Sequence, residues 1–399
     1  MKKGDNLKEG NFITRIMAIF ITAALLIGVV LCFAGCSSST TSGKLSNKDT
    51  ELLAYENIGG VAQITGIGAY PSTDLIIPEE IGGLPVVSVG EEAFEDSRIT
   101  SVIIADTVTE INDSAFYGCE NLTSVSIGKG VTKIKGFAFE DCDNLKAVYI
   151  NDLSAWCGIM FSYESSNPLY YAHNLYINGD LATDIVIPDD VTAIENHAFC
   201  CCSNLTSVTI GNSLEEIGYF AFDGCDNLTT VIIPDGAANI NVGIFRNFSY
   251  LTTIEVFENN EYYSVENGVL FNKDKTELFF CCRGISCAYT IPDSVEYICR
   301  YAFEGCKNLT SIIIPDSVEY IGEYAFEDCK NLTSLTIPDS ISCLEYNTFI
   351  GCNNLTSVSI PQKLKYDFAQ SFIEDGLLGT WYYSLPEGIA DDFTYEDLY

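Results

Sequence analysis

Cysteine and histidine are the side chains in this sequence best suited to nucleophilic or metal chemistry, and the 399 residues hold 17 of the first and two of the second. The run Cys200–Cys202 and the set Cys281, Cys282, Cys287 and Cys299 raise metal binding. A structural zinc site wants paired thiolates or imidazoles at C-x₂₋₄-C spacing, twice. Cys282 and Cys287 have four residues between them and would make one half, but no matching second pair follows, so no metal is expected. His197 precedes an Ala-Phe pair where other copies of the same phrase carry Tyr, Phe, Ser or Glu, which makes it a surface filler. His173 has no evident Ser or Cys partner, although an active histidine is recognised by geometry and not by order along the chain. No catalytic residue is assigned, and a hydrolase built around Trp156 and His173 is the one enzymatic alternative. Asp189 and Asp190 could pass for an acid–base pair, but their "IPDD" recurs as "IPDS", which is turn chemistry. Carboxylates and carbonyls in such loops leave a calcium site open. No cofactor is expected.

The spacing explains these residues better than catalysis does. Cysteine recurs at 119, 142, 202, 225, 306, 329 and 352, and the Phe of an Ala-Phe pair, or of its variant, at 94, 116, 139, 199, 222, 303, 326 and 349. Phe245 keeps the phase, and the intervals are 22 or 23 residues apart from two longer gaps. The unit reads "IPDSVxxIGxxAFxxCxNLTSVxI". Within it "LTSVTI" at 205–210 places Leu205, Val208 and Ile210 in the L-x-x-L-x-L pattern of a leucine-rich repeat. The β-branched end of that phrase favours strand, and the Pro that follows ends the ladder. A single unit cannot bury its apolar side; stacking at the inter-strand spacing of ~4.8 Å can. The fold class expected is a β-rich solenoid, a leucine-rich repeat array of about eleven coils with two longer inserted coils. The recurrent cysteine fits a buried hydrophobe, with disulfides between neighbouring coils as the alternative. "NLT" sequons are a by-product of the repeat.

"GCKNLTSIIIPDSVEYIGEYAF" at 305–326 resembles the BspA-type leucine-rich repeat of bacterial surface proteins. The opening stretch 60–94 is similar to that family's usual first unit, and so are the longer gaps at 152–191 and 259–284. The resemblance covers about 55–361. It implies a secreted, often cell-bound solenoid associated with adhesion and host or matrix binding, without catalysis, and it names no partner.

The ends read differently. Lys2, Lys3, Lys8 and Arg15 precede an apolar run from Ile16 to Phe33, then "AGCSSSTTSG". That order is a secretory signal. "FAGC" resembles the bacterial lipobox, which implies cleavage and lipidation at Cys36; an uncleaved membrane anchor is the alternative. The domains expected are a signal at 1–35, a Ser/Thr-rich tether at 36–54, the solenoid at 55–361 and a cap or acidic tail at 362–399. The localisation expected is the cell surface, outside the membrane and anchored by Cys36. A net charge of −35 argues against nucleic acid and anionic membrane as partners; contact with membrane is through the lipid only, and an extracellular protein or polysaccharide is the partner class. Two surfaces compete for it. One is a nearly uncharged ladder of strand positions such as Ser124, Ser126, Ser207 and Thr209. The other is the aromatic content of the insertions: Trp156, Phe161, Tyr163, Tyr170, Tyr171, Tyr176, Tyr262 and Tyr263. Inserted loops on a rigid scaffold often carry binding, but a widened coil also needs apolar residues to close its own core.

Overall fold

The computed structural model describes residue 50 and residues 52–285, 288–345 and 347–371. The expected signal, Cys36, most of the tether, Cys287 and the tail from 372 lie outside these. Each coil carries a three- or four-residue strand and a two-residue strand, joined by turns. The apolar residue at the middle of each longer strand points inward and its hydroxylated neighbours outward: Val125 is buried between half-exposed Ser124 and Ser126. The longer strands pair in parallel, one coil apart, in three ladders. The first holds Asp74–Ile77, Ser101–Ile104, Ser124–Ser126, Ala147–Ile150 and Leu175–Ile177. The second holds Asp184–Val186, Ser207–Thr209, Thr230–Ile233 and Thr253–Val256, and the third Ala288–Thr290, Ser311–Ile313, Ser334–Thr336 and Ser357–Ser359.

The solenoid therefore has about thirteen turns, not about eleven. The surplus lies where the repeat phrase is degenerate. Asp74–Ile77 adds a coil at the start, and the first insertion supplies two longer strands, Leu175–Ile177 and Asp184–Val186, where one widened coil was expected.

Identical coils place identical residues on top of one another. Phe94, Phe116 and Phe139 stack with centroids 5.2 and 5.1 Å apart, and Phe303, Phe326 and Phe349 repeat the arrangement at 5.1 and 5.2 Å. All are buried. Three residues on, the recurrent cysteines are buried free thiols. Each of Cys119, Cys225, Cys329 and Cys352 donates its S–H to the carbonyl of the Phe one coil earlier, at 3.1 Å. Serine would add a polar group to this dry column, and alanine would leave the carbonyl without that donor. The thiol does neither.

The corner around each Ala-Phe pair bends through the left-handed region twice, at two residues before and two residues after the Phe. The first of these positions holds Glu92, Ser114, Phe137, His197, Phe220, Tyr301, Tyr324 and Asn347, all with φ between +52° and +63°. The second alternates between Asp or Cys and Gly. A Cβ on Gly118 would lie 2.3 Å from Asp96 Oδ1, and one on Gly351 2.3 Å from Asp328 Oδ1, so the carboxylate would have to swing aside. The acid of one coil folds over the bare backbone of the next.

The insertions interrupt this order. In the first, Asp152 caps the helix Leu153–Cys157 by accepting from the Ala155 amide at 3.0 Å. In the second, Tyr263–Glu266, Val269–Asn272 and Glu277–Cys281 form an antiparallel meander whose last strand rejoins the two-residue strands at Tyr297–Ile298. At the far end Leu364 and Phe368 are buried, and the Phe368 ring sits 5.4 Å from Phe349, so residues 362–371 cover the last open coil. Among the described residues no helix is long and apolar enough to cross a membrane.

Candidate functional site

Of the insertion aromatics, three are core. Trp156 is 1% exposed and donates its indole N–H to the Ala198 carbonyl at 3.0 Å. Phe161 packs beside it at 5.6 Å. Tyr263 is buried, with its hydroxyl donating to Ala238 O at 3.0 Å and accepting from Ile240 N at 2.8 Å. These three offer a partner nothing; they close the widened coils, because a longer coil encloses more volume than the repeat's own Phe can fill. Tyr170 and Tyr171 meet edge to face at 5.1 Å, and Tyr176 lies over Tyr149 at 4.8 Å on the strand face, each half-buried. Tyr163 and Tyr262 are exposed, one in each insertion. His173 directs Nδ1 to the Cys201 carbonyl at 3.3 Å, a backbone partner and not a nucleophile. Among the described residues no three His, Cys, Asp or Glu side chains converge as metal ligands would.

The strand face is ordered by two acids. Asp74 Oδ1 accepts from Thr100 at 3.0 Å and Ser101 at 2.8 Å; Asp184 Oδ1 accepts from Thr206 at 3.0 Å and Ser207 at 2.6 Å. The Ser207 hydroxyl, with those of Thr206 and Thr183, holds the Asp184 carboxyl below its usual range despite partial burial. Each acid stands in the first strand of its ladder and spends its oxygens on the hydroxyls of the next coil.

The exposed chemistry lies on the left-handed corner. Tyr163 falls in register with it and stacks on Phe137 at 5.7 Å; His197 stacks on Phe220 at 5.7 Å, and Tyr301 on Tyr324 at 5.3 Å. Burial pushes the His197 imidazole below its ordinary pKa, so the ring is neutral in that stack. A non-glycine residue in the left-handed region costs about 1–2 kcal/mol, and bulky side chains are rare there. The coil itself imposes the turn, since Glu92, Ser114 and Asn347 adopt it without a ring; at four coils the position carries an aromatic side chain, Phe137, Phe220, Tyr301 or Tyr324. The feature was visible in sequence as the variable residue before each Ala-Phe pair, but nothing in the pattern said that the backbone turns the ring outward there.

Between Phe220 and Tyr301 the column is interrupted. The coil after Phe220 replaces the usual corner with the 3₁₀ segment Val242–Asn247 and puts Gly243 where a ring would stand. A notch of about 820 Å³ opens, with Tyr219 and Phe220 on one wall and Arg246, Arg300 and Tyr301 on the other. Tyr219 is 77% and Phe220 57% exposed. Arg246 lies over the Tyr301 ring at 3.9 Å, with Nε 2.8 Å from Glu304, and Arg300 lies 4.7 Å from the same ring and 3.0 Å from Glu323. Desolvation lowers the Arg246 pKa, but the Glu304 carboxylate more than offsets it and keeps the guanidinium charged.

The model of the BspA type Leucine rich repeat region matches residues 87–175, 172–282 and 272–378, in six copies. The chain belongs to the BspA-type leucine-rich repeat family. Among solved structures, a leucine rich cell surface protein from Faecalibacterium prausnitzii is 25% identical with a TM-score of 0.51, covering 88% of this chain and 99% of its own. A leucine-rich repeat protein from Bacteroides ovatus is 24% identical, with a TM-score of 0.43 and coverage of 84% and 96%. The pneumococcal vaccine antigen PcpA is 19% identical, with a TM-score of 0.39 and coverage of 78% and 84%. No curated protein matches the sequence. The family and the Faecalibacterium neighbour support a repeat-built surface or binding protein. In this BspA-type array the stacked corners supply the surface described above.

Proposed function

We propose that this BspA-type chain is a lipid-anchored protein of the bacterial surface that holds an extracellular protein or polysaccharide, in the manner of an adhesin. The observation that carries the reading is the set of stacked rings on the left-handed corner, of which Phe137 and Phe220 are exposed and Tyr301 and Tyr324 half-buried. Exposed aromatics supply contact area at low side-chain entropy cost. The scaffold beneath is rigid, because every coil is hydrogen-bonded and packed on two neighbours. The lipobox-like "FAGC" supports the anchor at Cys36. A typical leucine-rich repeat solenoid is not an enzyme, and nothing on the corner pairs a nucleophile with a base.

Two measurements test this. Metabolic labelling with a radiolabelled fatty acid should mark the wild-type chain and not Cys36→Ala; equal labelling of both sinks the anchor. Cells displaying the full chain should adhere to surfaces coated with matrix proteins or polysaccharides more than cells lacking it. Unchanged adherence together with a weakened envelope would favour a purely structural role and refute the binding one.

A further inference from the structure

The geometry points to the notch at Gly243 as a binding site for a neutral oligosaccharide, with Tyr219 and Phe220 as its stacking platform. The inference rests on the binding role proposed above and names the ligand class.

Volume comes first. About 820 Å³ lies within the range of small-ligand sites, well short of the broad, flat contact that two folded proteins make. Next is the balance of the walls. One side presents aromatic faces, which suit the apolar C–H faces of a pyranose ring. The other presents planar polar groups, Arg246, Arg300, Glu304 and Asn241, with Glu195 and Glu216 at the rim. Such groups pair with the vicinal hydroxyls of a sugar through two parallel hydrogen bonds.

Charge then selects among ligands. Both arginines are already neutralised, Arg246 by Glu304 at 2.8 Å and Arg300 by Glu323 at 3.0 Å, so an anionic sugar would meet acid wherever it met guanidinium. A cation would be drawn by the surplus acid, and hexalysine below tests that alternative; the Tyr301 ring is already covered by Arg246. What remains unfilled is hydrogen-bonding capacity beside two ring faces, and that fits a neutral polyol.

The placement of the notch adds an independent point. Phe220 has a φ of +57° and Tyr301 one of +63°, while the residue between them in the column is Gly243, whose φ is not in the left-handed region. The rings stand where glycine would suit the backbone, and the glycine stands where a ring would fit.

The test uses the full chain purified in detergent and isothermal titration with hexasaccharides of glucose, mannose, galactose and xylose. An oligogalacturonate and hexalysine serve as charged comparisons. At least one neutral hexasaccharide should bind with a Kd below about 1 mM. Tyr219→Ala and Phe220→Gly should each weaken it about tenfold, and Gly243→Tyr, which fills the notch, should abolish it. Phe220→Gly relieves the positive φ and loses the His197 stack, and its far-UV dichroism should remain that of wild type, which separates lost recognition from lost fold. Failure of all four neutral sugars to bind, binding of a charged comparison alone, or binding indifferent to Gly243→Tyr overturns the site. If cells displaying Gly243→Tyr still adhere as wild type does, the adhesive role survives and only this site falls; if wild-type cells do not adhere, the adhesive role itself fails.

Discussion

Consider Phe326→Leu. The ring is buried and lies between Phe303 at 5.1 Å and Phe349 at 5.2 Å, nearly parallel to both. Leucine keeps most of the apolar volume, and a swap of this kind ordinarily costs less than about 1.5 kcal/mol. The substitution also removes two ring–ring contacts, each worth about 0.5–1.5 kcal/mol beyond burial. The expected loss is therefore about 1–3 kcal/mol above the cost of the swap. At Phe94, which stacks only on Phe116, the extra loss should be half of that. A double-mutant cycle isolates the contact: Phe303→Leu and Phe326→Leu should couple by about 0.5–1.5 kcal/mol, and Phe94→Leu with Phe326→Leu by about zero. Urea titration of the full chain, followed by tryptophan fluorescence and far-UV dichroism, measures all five variants. Coupling as large between the distant pair as between neighbours would refute the account of a stack whose energy runs from coil to coil.

Gly118→Ala and Gly59→Ala should each show the left-handed backbone cost of about 1–2 kcal/mol, with Gly118→Ala also displacing the Asp96 carboxylate and so losing somewhat more; thermal melts compare them. Burial pushes the thiols of Cys157, Cys202 and Cys282 up to about 12 from 9.0. Their folded values exceed the unfolded ones, so the stability they contribute is complete below pH 9 and is lost as pH rises from 9 towards 12. Melting temperature under reducing conditions should fall across that window, and a flat profile would contradict buried, protonated thiols. Native alkylation at pH 7.5 should modify exposed Cys343 well ahead of Cys329; equal rates, read by mass spectrometry, would mean the column is open to solvent.

The regular coils were legible because a 23-residue period repeats one environment: Cys329 donates to Phe303 O as Cys352 does to Phe326 O, so one physical reading serves the regular copies. The insertions were not, since their residues have one neighbour set each. Trp156 reads as an exposed aromatic until the Ala198 carbonyl, 42 residues away, takes its N–H. The extra turns were hidden because "DLIIP" at 74–78 and "LYI" at 175–177 lack the leading phrase by which coils are recognised. The ring column was written plainly at Phe137, Phe220, Tyr301 and Tyr324 but misread as filler. Propensity disfavours bulky side chains at positive φ, and the coil itself imposes the turn there. The notch needed two departures at once, a missing ring and a 3₁₀ segment, and neither is a motif.

The coils that begin at Tyr301 and Tyr324 share the phrase "YAFExCKNLTS", and the second of them lies outside the notch. Gain or loss of one whole 23-residue copy there would keep the parallel strand register and the buried Phe stack on both sides of the join. Length is thus free to drift between generations while the reading head stays as it was, in the way a ruler can be cut or extended without moving its marks.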